Sequence, residues 1–115
     1  KRAALAAVYR DSLPAELFTP PSVPAGRTHV YYRFVVRLQK GLQSSDEFTA
    51  YLSRMAHRGL QCRQPVFRPL RRYLELADFP ASDEADDVAI SLPIYPSLSD
   101  DDVKLASQIL QEELR

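Results

Sequence analysis

Apolar residues recur every four positions at the start of the chain: Leu5, Tyr9 and Leu13, with Ala4 and Val8 beside them at the same interval. That spacing predicts one amphipathic helix over "KRAALAAVYRDSL". Pro14 ends it, because proline lacks the donor that the next turn needs. The following stretch, "PAELFTPPSVPAG" from Pro14 to Gly26, holds four prolines and predicts an extended surface strap. From Thr28 to Leu38, "THVYYRFVVRL", the period falls to two and the residues become β-branched and aromatic, which predicts a long strand. Strict alternation puts Val30, Tyr32, Phe34, Val36 and Leu38 on one face. His29, Tyr31, Arg33, Val35 and Arg37 then share the other.

The strand is expected to turn at "QKG", around Gly41. A second helix follows from about Ser45 to Arg58, with Phe48, Leu52 and Met55 as its apolar stripe and Gly59 as a left-handed stop. Ser44 and Glu47 have capping-box spacing at its start. Next come a short extended piece, "LQCRQPVF", and a short helix in "RPLRRYLEL", where Pro69 suits the first turn. Another short helical piece near "ASDEADDV", a buried strand "AISLP" and a helix from Asp100 onward complete the chain. This order predicts an α+β fold, a small antiparallel sheet with helices packed on one face. Residues 1–115 are expected to form a single domain, 1–27 a leading helix and strap and 28–115 the core.

Length and charge narrow the function. The chain has 115 residues, with fifteen basic and fifteen acidic side chains. That balance argues against capture of nucleic acid or of an anionic membrane. One cysteine, Cys62, cannot form an internal disulfide, and no apolar run approaches the roughly 20 residues of a membrane span. With no secretory signal, a cytoplasmic protein is expected. The chain begins at Lys1 already in helical pattern with no cap ahead, as expected of a piece cut from a longer polypeptide.

The acidic run in "ISLPIYPSLSDDD" raises the question of a metal or acid/base site. Consecutive helical residues point about 100° apart, so Asp100, Asp101 and Asp102 do not converge on an ion. They suit the first turn of a helix capped by Ser99, with Asp102 closing the capping box and Leu98 stapling onto Val103. No metal site is expected. His57 suits a helix C-terminus, and Cys62 suits a buried thiol. His29, on the polar face of the strand, has no serine or aspartate at a triad spacing. Arg63 and Arg68 flank "QPVF", where the prolines hold the backbone extended and a guanidinium could grip a carboxylate or phosphate.

Taken in order, "HVYYRFVV", "GLQCRQPVFRPL", Phe79-Pro80 and "ISLPIYPSLSDDDV" resemble the C-terminal small domain of the DegT/DnrJ/StrS-type sugar aminotransferases, fold-type I enzymes that use pyridoxal phosphate. The likeness runs from about His29 to Leu110, and "SLPIYPSL" ahead of a capped helix is its most specific part. It implies an enzyme that moves an amino group from glutamate or glutamine to a nucleotide-linked keto sugar. It also implies a large N-terminal domain carrying the cofactor on a lysine, and a homodimer. The lysines here, Lys1, Lys40 and Lys104, do not sit in such a segment, so this piece is expected to hold no catalytic residue and to bind no cofactor covalently.

The resemblance places His29, Tyr31, Tyr32 and Arg63 at the substrate and cofactor cleft. Alternation would turn Tyr32 inward, which favours His29 and Tyr31. The chain departs from the family at Pro65, Val66 and Phe67, where many members carry a His-Tyr pair, and at Arg71, often a histidine. Two other functions fit the same fold: a binding or regulatory module without catalysis, and the small domain of a sugar dehydratase that uses the same cofactor.

Overall fold

A computed structural model describes residues 1–40, 42 and 44–114. Helix α1, Arg2–Ser12, forms along the four-residue stripe; Leu5 and Tyr9 are buried on it, and the buried Leu13 ends it in extended backbone. Ala6 also turns inward, whereas Ala4 is exposed. After Pro14 a tight turn, with Leu17 and Phe18 N–H both donating to the Pro14 carbonyl at 3.0 Å, feeds a two-residue strand, β1, Phe18–Thr19. The strap therefore does more than cross a surface. Its prolines flank the paired residues, so Phe18 can enter the core and supply the sheet edge.

Strand β2 spans Phe34–Leu38, and β3 spans Ala89–Leu92. The sheet is antiparallel with order β1-β2-β3. Its register sets Phe18 against Leu38, Phe34 against Leu92 and Val36 against Ile90, so all six side chains bury on one face. The strand expected from Thr28 to Leu38 is shorter at its start. Tyr31 adopts φ 50°, which breaks the alternation ahead of Phe34. In consequence Tyr31 is 5% exposed while Val30 and Tyr32 are 80% and 73% exposed, opposite to a continuous strand.

Helix α2, Ser45–His57, starts where Ser44 Oγ accepts the Glu47 N–H at 3.2 Å. Its buried residues are Phe48, Tyr51 and Met55. It stops at Gly59, φ 84°, where the Gly59 and Leu60 N–H groups donate back to the Ala56 and Met55 carbonyls, both at 2.9 Å. That pair of bonds is the glycine-dependent helix ending. The turn expected at Gly41 lies outside the described residues.

The short helices α3, Leu70–Tyr73, and α4, Pro80–Val88, stand on the sheet face that carries Val35 and Arg37. Arg37 pairs with Glu84 at 2.7 Å, and the pairs Arg71–Asp83 and Arg72–Asp86 tie α3 to α4. On the opposite face α1, α2 and the last helix, α5 (Asp100–Leu114), cover the core, α5 packing against both of the others. Two buried tyrosines fasten this layer: the Tyr9 hydroxyl donates to the Pro93 carbonyl at 2.8 Å, and the Tyr51 hydroxyl to the Leu110 carbonyl at 2.9 Å. Burial pushes both phenols up, because the charged form loses water.

At the start of α5 the capping box is closed. Ser99 Oγ accepts the Asp102 N–H at 3.1 Å, and Asp102 Oδ2 accepts the Ser99 N–H at 2.8 Å. Leu98 and Val103 pack into the same core. The Ser99 backbone N–H, with its hydroxyl second, holds the Asp102 carboxyl below the usual carboxylate range. A depressed folded value stabilises the fold above the unfolded pKa of about 4 and loses that contribution as pH falls through the folded value. Ser99→Ala should lower stability by about 1 kcal/mol in urea unfolding at pH 7. In an NMR titration it should also move Asp102 up towards an ordinary carboxylate. An unchanged midpoint and an unchanged Asp102 would mean the cap carries no weight.

Candidate functional site

The β2–β3 ladder stops at the Phe34–Leu92 pair, and the other side of β3, to which Ser91 turns its N–H and carbonyl and where Pro93 has no N–H to add, takes a different partner. The extended piece after Gly59 fills that side. Arg63 N–H donates to the Ser91 carbonyl at 3.2 Å and Ser91 N–H to the Arg63 carbonyl at 2.8 Å, one antiparallel rung beside β3. This fixes the backbone of Arg63 against the sheet. Arg63 lines a groove of about 530 Å³ whose walls include Arg33, Cys62, Pro65, Phe67 and Pro93. Arg33 Nη1 donates to the Pro65 carbonyl at 2.6 Å, and its guanidinium lies 5.6 Å from the Tyr32 ring centroid. Among the described residues no hydrogen bond or ion pair engages the Arg63 guanidinium.

The structure divides the candidate residues into two groups. Arg63 lines the groove, and Tyr32 stands beside it through Arg33. His29 and Tyr31 belong to a separate cluster. Their rings stack at 4.3 Å, and the Tyr31 N–H donates to His29 Nδ1 at 2.8 Å. Arg10 of α1 donates to the Tyr31 hydroxyl at 2.7 Å and to the Pro21 carbonyl at 2.9 Å. This cluster joins the start of the sheet to α1 and the strap. The expectation that alternation turns Tyr32 inward is therefore corrected: the left-handed Tyr31 turns into the core and Tyr32 turns out.

Arg68, the other arginine flanking "QPVF", is engaged within its own segment. It donates to the Arg72 carbonyl at 3.1 Å and lies 4.7 Å from the Tyr73 ring centroid. Arg71 pairs with Asp83. Arg33 is the groove residue that sequence reasoning missed. It was assigned to the strand's outer face, and its partner Pro65 is 32 residues away, so no local spacing could reveal the contact.

The other chemical candidates resolve as structural groups. His57 Nδ1 lies 2.8 Å from the Ser53 carbonyl, one turn back on α2. Cys62 is buried, and burial pushes its thiol up to about 12. Among the described residues no cluster of His, Cys, Asp or Glu could hold a metal ion, and no helix is long and apolar enough to cross a membrane.

Residues 1–111 match the sequence profile of the DegT/DnrJ/EryC1/StrS aminotransferase family. No curated protein matches the chain. Among solved structures, it is similar to an aminotransferase, TlmJ, from Streptoalloteichus hindustanus: 26% identity and a TM-score of 0.79, covering 98% of this chain and 30% of that one. Spr1654 from Streptococcus pneumoniae, in its PLP-form, gives 14% identity and a TM-score of 0.79 over 99% of this chain and 31% of that one. Helicobacter pylori PseC, an aminotransferase involved in the biosynthesis of pseudoaminic acid, gives 15% and 0.76 over 97% and 31%. The last two likenesses are of fold alone. The chain spans about 30% of the length of these proteins.

A thiol whose pKa is far above neutrality reacts slowly, since the thiolate is the nucleophile. At pH 8 the folded chain should leave Cys62 unmodified by a thiol-reactive chromogenic disulfide for minutes, and modification should become immediate in 6–8 M urea, about the range that unfolds small domains. Prompt labelling of the folded chain would contradict its burial.

Proposed function

The chain belongs to the DegT/DnrJ/EryC1/StrS aminotransferase family, and we propose that it is the C-terminal small domain of a pyridoxal-phosphate-dependent sugar aminotransferase. In this reading residues 1–115 act with a large N-terminal domain in a cytoplasmic homodimer. Glutamate or glutamine gives up its amino group and leaves as the oxo acid, and the carbonyl of a nucleotide-linked keto sugar becomes an amine. The family match over residues 1–111 and the likeness to the aminotransferase TlmJ at 26% identity support the amino transfer.

The observation that carries the proposal is the unengaged Arg63 guanidinium in a groove that no carboxylate lines, on backbone pinned to β3. An arginine so placed can hold a substrate carboxylate or phosphate by paired N–H···O bonds without first reorganising its own backbone. Tyr32, exposed beside Arg33, would border the same cleft, while His29 and Tyr31 would support it from the side of α1.

When bound, the cofactor supplies the relay that carries the amino group from donor to acceptor. No lysine lines the groove: Lys1 and Lys40 are exposed, and Lys104 is on α5, 3.9 Å from Asp101. The residues present do not fit covalent attachment of the cofactor, and that attachment belongs to the large domain. This chain's part is to bind and orient the substrate and to cover the site against water.

In the full-length parent, Arg63→Ala should lower kcat/KM for the sugar nucleotide about tenfold or more while leaving the absorbance of the bound cofactor unchanged. Unchanged kinetics would return Arg63 to an ordinary solvated arginine.

A further inference from the structure

Between Pro65, whose carbonyl Arg33 holds, and Ala89, which pairs with Arg37 in the sheet, the chain makes one excursion, residues 66–88, that carries α3 and α4. It is rich in apolar side chains yet barely buried. Leu70, Tyr73, Leu74, Leu76 and Phe79 all stand exposed, Leu70 at 71%, and neither helix has a buried residue. Within the excursion only Pro69 is buried, and Val88, at its end, packs against the core. A hollow of about 380 Å³, lined by Val66, Leu70 and Ala85 of the excursion and by Val35 and Ala89 of the sheet, lies where a close-packed layer would make its contacts.

Charge holds this layer where apolar burial does not. The pairs Arg71–Asp83 and Arg72–Asp86 join α3 to α4. Left-handed backbone at Glu75 and Asp78, φ 52° and 68°, turns the chain back between them, and the Leu76 N–H donates to the Arg71 carbonyl at 2.9 Å. The two helices are thus one body. Among the described residues one ion pair, Arg37–Glu84 at 2.7 Å, ties that body to the sheet, and both of its side chains are more than half exposed. An exposed pair holds weakly and is screened by salt. Elements with so little burial open at a lower cost than the whole fold. We propose that residues 66–88 form a flap, latched to the sheet by Arg37 and Glu84, that opens off the outer face as a unit about Pro65 and Ala89. The flap carries Phe67, a wall of the groove that Arg63 lines, so opening it also removes that wall. The latch therefore governs access to the groove, whatever the groove binds.

Native-state hydrogen exchange of the 115-residue chain, read amide by amide by NMR, tests the flap. The Leu74, Leu76 and Asp83 amides, all bonded within it, should exchange through one shared opening and faster than the amides in the middle of α5. Raising NaCl from about 0.05 M to about 0.5 M should speed them about two- to fivefold, the worth of one exposed ion pair, and leave α5 unchanged. The pairs inside the body survive its opening and do not add to that factor. E84Q should give the same acceleration at low salt and abolish the salt response. R37E/E84R, which exchanges the two partners, should restore slow exchange where R37E alone does not, and so separates the latch from any other damage at position 37. E113Q, which cuts an ion pair between α2 and α5, should leave the flap as it was. Flap amides that exchange as slowly as α5, or that respond neither to salt nor to E84Q, would overturn the proposal. Acceleration of α5 by the same factor would also overturn it, since the whole fold would then be opening. Different salt responses at Leu74 and Asp83 would do so too, because α3 and α4 would then fray separately.

Discussion

Three parts of the structure meet at Pro93, which has no N–H to donate. The β2–β3 ladder ends just before it at Leu92, its carbonyl accepts the Tyr9 hydroxyl, and the chain runs on as an arm into the cap of α5. The Tyr9 bond ties α1 to the arm, and the stacking of Tyr9 on Phe34 at 5.0 Å ties the same helix to the sheet. A donor at position 93 would face the segment of Gln61 and Arg63 rather than β2, and would allow pairing beside Ser91 to run on into the place where Ser91, Pro93 and Arg63 now bound a groove.

The groove and the core are therefore two sides of one constraint. The residues that bury, Phe34, Val36, Ile90 and Leu92, hold the register, and the register holds Arg63 and Arg33 on either side of β3. The guanidinium groups themselves contribute little to stability where they stand, because exposed charges are well hydrated and gain little from a carbonyl or a ring. In the proposed function the placement of Arg63 is preorganisation for an anionic substrate group, with the backbone cost met by the sheet.

Much of this was legible in the sequence because local rules govern it. The caps of α2 and α5 and the glycine stop at Gly59 each follow from a few neighbouring residues. The three aspartates were decided the same way: Asp102 caps, and its neighbours complete a first turn. What local rules could not supply was long-range. Phe18 looked like part of a proline-rich strap, yet it pairs across the sheet with Leu38. Tyr31 looked like one step of an alternation, yet its left-handed backbone exchanges it with Tyr32. The Arg33–Pro65 contact depends on two segments meeting only after folding.

The most direct measurement of the central claim is a crystal structure of the full-length protein with pyridoxal phosphate and a nucleotide-linked sugar bound. The account predicts that these residues form a small domain over the cofactor site. Arg63 should lie within about 3 Å of a phosphate or carboxylate oxygen of the substrate, the distance of a charge-assisted hydrogen bond. A substrate bound elsewhere, with Arg63 facing bulk solvent, would contradict it.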